Sequence, residues 1–331
     1  MWITTCRGSQ CGLGFFLSAL LSLLPSTLIR ADQPEDCPTW LPDLRCEREG
    51  RYQGFVPPSS APYLFEDPFI TTGLSSWVVW HRFPHHSAFD GGDARVYALQ
   101  VRVALTDRLA LIATRDGYMD VRPGLDLLDS ELGWADLEAG FKYALIDWPE
   151  EQFILSPSLR FLIPSGSRAT YNGNGDGAIT PGLSFGFGRF GAHLLGNTGI
   201  QIPLDGGDQS TLVFYNLHLD YALLTYLVPF VELNGYLYAD GGNGEFSLDT
   251  DLGNLSLSTA QAALGKSGFD GLDVTNLGSE GIDGNEVVTL ALGARVPLTG
   301  GLSFSAAYEF PLTARQDILK DRVTLNVAWE F

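Results

Sequence analysis

Lysine is nearly missing from this chain of 331 residues: Lys142, Lys266 and Lys320 are the only three, and methionine occurs twice. Basic residues number 20 against 39 acidic ones, giving a net charge of −19. No cationic footprint is left to neutralise phosphates, so nucleic acid is excluded as a partner. Charged residues make up only 18% of the chain while hydrophobic ones reach 45%, and mean hydropathy is +0.07. That balance suits a membrane protein or one with a very large core. Yet after residue 31 no run of ~18 apolar residues occurs, which excludes membrane-spanning helices. Glycine, by contrast, is abundant at 38 residues. High apolar content, many glycines and no helical span point to β-structure that meets lipid.

Cysteine is also scarce. Arg7 precedes an apolar run from Gly12 to Leu24, and Pro25, Ser26 and Thr27 lead on to Ala31. This reads as a secretory signal over 1–31, cut near Ala31–Asp32, although Ile29 is bulkier than a small-x-small site calls for. Cys6 and Cys11 fall inside it, and no small-residue lipobox precedes any cysteine. Cys37 and Cys46 remain in the exported chain and read as a small disulfide loop. The alternative, a metal pair, lacks nearby His or further Cys partners. Residues 32–72 are proline-rich and aperiodic, so they cannot build a core of their own. They form either a periplasmic arm or a plug in the lumen of something larger.

From residue 73 to 331 the period is two. In the last ten residues Val323, Leu325, Val327, Trp329 and Phe331 share one face, and Arg322, Thr324, Asn326, Ala328 and Glu330 share the other. An aromatic terminus on such a strand resembles the C-terminal signal read by the barrel-assembly machinery of the outer membrane, with Val327, Trp329 and Phe331 as its recognised positions. The alternation recurs upstream in segments of about ten residues, the length of a tilted membrane strand. In 136–145, 213–221, 288–296 and 302–310 the charges keep to one face. A lipid-facing exterior demands this, because a charge at mid-bilayer costs ~2–4 kcal/mol.

About twelve strands follow: 74–83, 94–105, 109–116, 135–145, 153–163, 178–188, 190–202, 211–223, 228–238, 286–297, 302–310 and 322–331. Links after even strands are short, whereas those after odd strands (84–93, 117–134, 164–177, 203–210, 239–285 and 311–321) are mostly longer. Bacterial barrels have even strand numbers, short periplasmic turns and long outer loops. The fold expected is therefore all-β, a transmembrane antiparallel up-and-down barrel in the outer membrane with periplasmic termini. Lipid and lipopolysaccharide would surround it. Loop 239–285 is long enough for a lid or constriction, and Ser258 is placed to cap a short helix through Leu264.

Several enzyme and metal motifs match by letter only. Gly182-Leu-Ser184-Phe-Gly186 lacks the strand–turn–helix corner of a nucleophile elbow, and no helix follows Gly186-Phe-Gly188-Arg-Phe-Gly191 to carry a pyrophosphate. The run Asn172 to Gly177 starts like a calcium loop but has Leu183 where a bidentate Glu is needed. Asp90, Asp93, Asp205 and Asp208 leave a looser outer-loop calcium site open as an alternative to solvated turns. His81, His85 and His86 read as a surface cluster rather than a metal site. A barrel phospholipase needs Ser and His on the lipid face, whereas His193 and His218 point inward. No enzyme, cofactor or metal is expected.

Candidate function therefore rests with the lumen. Inward positions include Asp136, Glu138, Lys142, Arg160, His193, His218, Asp220, Phe230, Glu232, Tyr236, Arg295 and Glu309, with Asn216, Asn234, Tyr238 among them too. They form either a filled interior of paired charges or a narrow passage whose Phe230, Tyr236 and Tyr238 contact a solute.

The run Gly133-Trp-Ala-Asp136-Leu-Glu-Ala-Gly-Phe-Lys142-Tyr143, with Ile163-Pro164-Ser165-Gly166 closing the next strand, resembles the outer-membrane transporter family of the MetA pathway of phenol degradation. That family carries Gly-x-Gly-Asp-Leu and Leu-Pro-Thr-Gly, and this chain departs at Ala135 and Ser165. The resemblance covers roughly 95–331 and implies a barrel moving small hydrophobic or aromatic solutes, akin to FadL-like channels, with no catalytic residues to carry over. The alternative is a non-transporting structural or surface barrel whose long outer loops bind partners.

Overall fold

In the computed structural model the described residues are 51–330, apart from 53, 225, 249, 251–252, 267–268 and 299–300. The signal segment, Cys37, Cys46 and Phe331 lie outside the described residues.

The strands follow the two-residue period. They are β1 (Gly73–Arg82), β2 (Gly92–Ala104), β3 (Leu109–Arg115), β4 (Tyr118–Pro123), β5 (Glu131–Trp134) and β6 (Leu137–Tyr143). Next come β7 (Ile146–Trp148), β8 (Phe153–Ile163), β9 (Ala178–Arg189), β10 (Ala192–Pro203), β11 (Thr211–Tyr221) and β12 (Val228–Asp240). A small hairpin of β13 (Ser247–Leu248) and β14 (Leu255–Ser256) leads into helix α1 (Leu257–Leu264), and β15 (Glu286–Pro297), β16 (Leu302–Pro311) and β17 (Asp321–Glu330) finish the chain. Every neighbouring pair is antiparallel, and β1 pairs both β2 and β17, from Gly73 opposite Glu330 to Arg82 opposite Asp321. The wall is thus a closed barrel of twelve strands: β1, β2, β3, β6, β8 to β12, and β15 to β17. Closure leaves no free edge in the hydrocarbon layer, where an unpaired amide has no water to bond.

Along β17 the buried and surface positions alternate, with Thr324, Asn326 and Ala328 inside and Leu325, Val327 and Trp329 outside. Leu111, Phe141, Leu159, Leu219 and Leu292 continue the same apolar outer surface around the barrel. Trp148, Phe190, Tyr226 and Trp329 stand at the short-turn end, and Trp80, Trp134 and Tyr308 toward the other. Two aromatic girdles flanking an apolar band are what a membrane barrel presents to lipid. At the short-turn end, β9 and β10 are joined by Phe190 and Gly191 alone, both with positive φ (54° and 77°), as a hairpin turn matched to strand twist requires.

Two expectations need correction. Residues 117–134 are not one loop: β4 continues the line of β3, and β5 pairs it as a hairpin. Helix α1 is capped by Ser256, whose Oγ accepts the Thr259 amide, rather than by Ser258.

Candidate functional site

The lumen is occupied by the chain's own residues 55–72, which run inside the barrel. Pro57, Ser59, Pro62, Tyr63, Glu66 and Pro68 all bond to inward side chains of the wall. Glu66 is the strongest anchor. Arg102 of β2 reaches its Oε2 at 2.6 Å, and the Lys142 ammonium of β6 reaches its Oε1 at 2.7 Å. Burial pushes this carboxyl up, but Arg102 and Lys142 outweigh burial and hold it at about 2. The same Lys142 Nζ donates to the Asp67 carbonyl at 2.7 Å. Arg160 donates to the Tyr63 carbonyl at 2.8 Å and lies 3.2 Å from Glu138. Arg295 donates to the Pro57 carbonyl at 3.1 Å. Glu232 accepts the amides of Ser59 and Ser60, at 2.8 and 2.6 Å. A buried segment with no partner strand must satisfy its amides and carbonyls through side chains, and this wall supplies them.

From the opposite end, residues 269–279 of the long 241–285 connection fold into the barrel mouth, and all are buried. Arg322 joins them to the wall, reaching Asp273 at 2.7 Å and Glu309 at 2.7 Å. Arg115 donates to the Val274 carbonyl at 2.6 Å. Asp317 accepts the amides of Asp270 and Gly271 at 3.0 and 2.9 Å. The two inserted segments meet: Leu272 packs in one apolar cluster with Ala61, Leu64 and Phe65, and Val274 in another with Tyr63.

Every inward residue named from the sequence is buried, but their roles divide. Glu138, Lys142, Arg160, His193, His218, Asp220, Glu232, Arg295 and Glu309 form the paired network of the lumen. Asp136 sits at the mouth instead, where its Oδ1 accepts the amides of Gly166 and Gly173 at 2.9 and 2.8 Å and fixes that loop. Phe230, Tyr236 and Tyr238 line no open passage. Phe230 stacks on His218, Tyr236 packs with Ala61, Leu64 and Phe65, and the Tyr238 hydroxyl donates to Asp317 at 3.0 Å. His81 is no member of a surface cluster; it is fully buried, with Nε2 2.9 Å from the Ile318 carbonyl. Val327 and Trp329 of the C-terminal pattern stand on the outer surface. Among the described residues no group of three or more His, Cys, Asp or Glu side chains is placed to hold a metal ion.

Sequence reasoning missed Glu66, Asp67, Arg102 and Arg322. Arg102 lies in phase with Val96, Ala98 and Gln100 on the inner face of β2, so two inward cations near an acidic pair in the proline-rich segment were the available signal.

One part of the wall is interrupted. At Asp116–Gly117 the strand line breaks between β3 and β4, and β5 and β6 break beside it at Ala135–Asp136. β2 pairs β3 only through Val101–Ala104 and β4 only through Gly92–Tyr97. Between them, the Leu99 amide donates to the Asp116 carboxylate at 3.0 Å instead of a strand carbonyl. Gly117 adopts φ +129°, and a Cβ there would meet the Tyr97 carbonyl oxygen at 2.8 Å, so the break needs glycine. The result is a cavity of about 510 Å³. Its lining mixes outward Val78, Tyr97 and Leu137 with inward Trp77, Ala98 and Ala135. Trp134 stands at the rim, edge-on to Tyr118 at 5.2 Å. Residues of both faces of the wall thus line the cavity, with the exposed Val78, Tyr97, Leu99, Trp134 and Leu137 on its outer side.

A closed antiparallel barrel with an apolar outer band between aromatic girdles defines a transmembrane β-barrel. No protein-family model matches the chain, and no curated protein sequence matches it. Among solved structures it is similar to an outer-membrane channel from Pseudomonas putida F1, at 16% identity over 84% of this chain and 100% of that one, with a TM-score of 0.48. It is also similar to the NanC porin (7% identity, 78% and 98% covered, TM-score 0.44). A third likeness is to the KdgM porin in complex with disordered oligogalacturonate (10% identity, 77% and 99% covered, TM-score 0.39).

Proposed function

We propose that this protein is an outer-membrane channel for small, uncharged hydrophobic or aromatic solutes, which leave it sideways through the wall. The observation that carries this reading is the apolar cavity at the β3–β4 break. Its volume falls in the roughly 300–1,000 Å³ range of small-molecule sites, and it opens toward lipid while the axial bore is filled. A hydrophobe gains by entering lipid there, whereas a sugar would have to shed its water against Trp77, Val78 and Leu137. The filled, ion-paired bore favours a second reading, a non-transporting structural barrel, and the same experiment separates the two.

Intact cells make the test, because their lipopolysaccharide leaflet slows hydrophobes that phospholipid vesicles pass freely. Cells with the protein should take up an uncharged one-ring aromatic faster than cells without it. Ala98→Trp, which fills the cavity, should return uptake to the background rate while the barrel still assembles. Equal uptake with and without the protein would establish the structural reading instead.

A further inference from the structure

Both ring nitrogens of His218 face carboxylates: Nδ1 lies 2.7 Å from Glu232 Oε1 and Nε2 lies 3.1 Å from Asp220 Oδ2. A neutral imidazole offers one donor and one lone pair, so only the imidazolium satisfies both contacts. The ring is fully buried and stacked on Phe230 at 5.2 Å, leaving no room for water to replace a lost donor. The other oxygens of the two acids are also engaged. Asp220 Oδ1 lies 2.6 Å from His193 Nδ1, and Glu232 Oε2 accepts the Ser60 amide, while Oε1, which faces His218, also accepts the Ser59 amide.

The charged neighbours come from each element packed around the ring. β11 itself brings Asp220, β12 brings Glu232, and β10 brings His193, whose ring is covered by Phe55 at 4.4 Å. The inner segment brings only its amides and Phe55. Beyond the Ser59 hydroxyl lies the Arg295 guanidinium at 3.2 Å, and beyond the Ser60 hydroxyl Asn234 leads on to Glu309. His218 is therefore the cation that sits directly between the two acids.

We propose that His218 is a proton-operated clasp on the inner segment, holding residues around Ser59 and Ser60 when protonated and loosening them when it loses its proton. Deprotonation leaves one buried carboxylate against a lone pair, and Glu232 loses the cationic group that faces it directly. His218 and Glu232 are cross-strand partners fixed by the β11–β12 ladder. The part free to respond is the inner segment, which holds Glu232 only through two amide hydrogen bonds. The segment is thus held in mild acid and loosened in alkali, whether or not any solute crosses the barrel.

Hydrogen–deuterium exchange of peptides spanning 55–66, in the full-length protein and corrected for the intrinsic pH dependence of exchange, tests this. Protection of Ser59 and Ser60 should fall roughly tenfold or more between pH 6 and pH 9.5, the effect of losing a charge-assisted hydrogen bond. Glu232→Gln removes the second carboxylate, so a neutral His218 suffices and the pH dependence should disappear. His218→Gln should show at pH 6 the low protection that the wild type shows at pH 9.5. Protection unchanged with pH in the wild type, an undiminished pH dependence in Glu232→Gln, or full protection in His218→Gln would each overturn the clasp.

Discussion

Glu66 holds a full negative charge inside the barrel because Arg102 and Lys142 reach it from two strands of the wall. Removing that charge leaves both cations with the Asp67 carboxylate alone, 3.1 Å from Lys142 and 3.8 Å from Arg102. Glu66→Gln is expected to cost about 3–5 kcal/mol at pH 7, the usual penalty for breaking a buried pair, measured by denaturant unfolding of the reconstituted protein. Its pH dependence has a definite sign. The carboxyl is held at about 2 against an ordinary value of 4.5, so its stabilisation is complete above 4.5 and is lost as pH falls from there toward 2. The gap between wild type and Glu66→Gln should narrow over that window, and equal stabilities at pH 7 would refute the anchor. At this scale the sequence was legible where a side chain obeys strand parity, as Glu138, Lys142 and Glu232 do. It was opaque where a tertiary contact decides. Parity does not tell that Asp136 binds the Gly166 and Gly173 amides, nor that the strand end carrying His81 is covered by residue 318.

The elements divide in the same way. The barrel strands announce themselves by alternation because one face meets lipid and the other does not. The break at Asp116–Gly117 hides in the sequence because Gly-rich, charged stretches such as 116–136 look like outer loops, and the β4–β5 hairpin joins the wall through the pairing of β4 with β2. Residues 55–72 have no period at all, since they lie between the wall and the inserted turn 269–279 and bond largely through backbone to side chains. The inserted turn 269–279 likewise carries no strand pattern. Its Asp270 is nevertheless informative. Burial pushes this carboxyl up to about 7, with the neighbouring Asp317 carboxylate adding to the rise and the Ser279 amide opposing it. A raised acid favours the folded turn fully below its ordinary value of 3.8, and that advantage is lost as pH climbs through 7. Limited proteolysis of the reconstituted protein, corrected for protease activity, should therefore cut 269–279 several-fold faster at pH 8 than at pH 5. Asp270→Asn should be cut at the slow rate at both. Equal cutting of the wild type at both pH values would contradict the assignment.

For the whole molecule, scarcity of charge and abundance of apolar residues become one fact. The apolar half of each strand faces lipid, and the inward charges are spent on the two segments that fill the bore. Among the described residues, 55–72 and 269–279 occupy the bore, and an apolar cavity lies in the side of the wall. The most direct measurement pairs two solutes of similar size in intact cells, an uncharged one-ring aromatic and a small sugar, each with and without this protein. Passage through the wall predicts that only the aromatic enters faster when the protein is present. Faster entry of the sugar, or of neither solute, would contradict it.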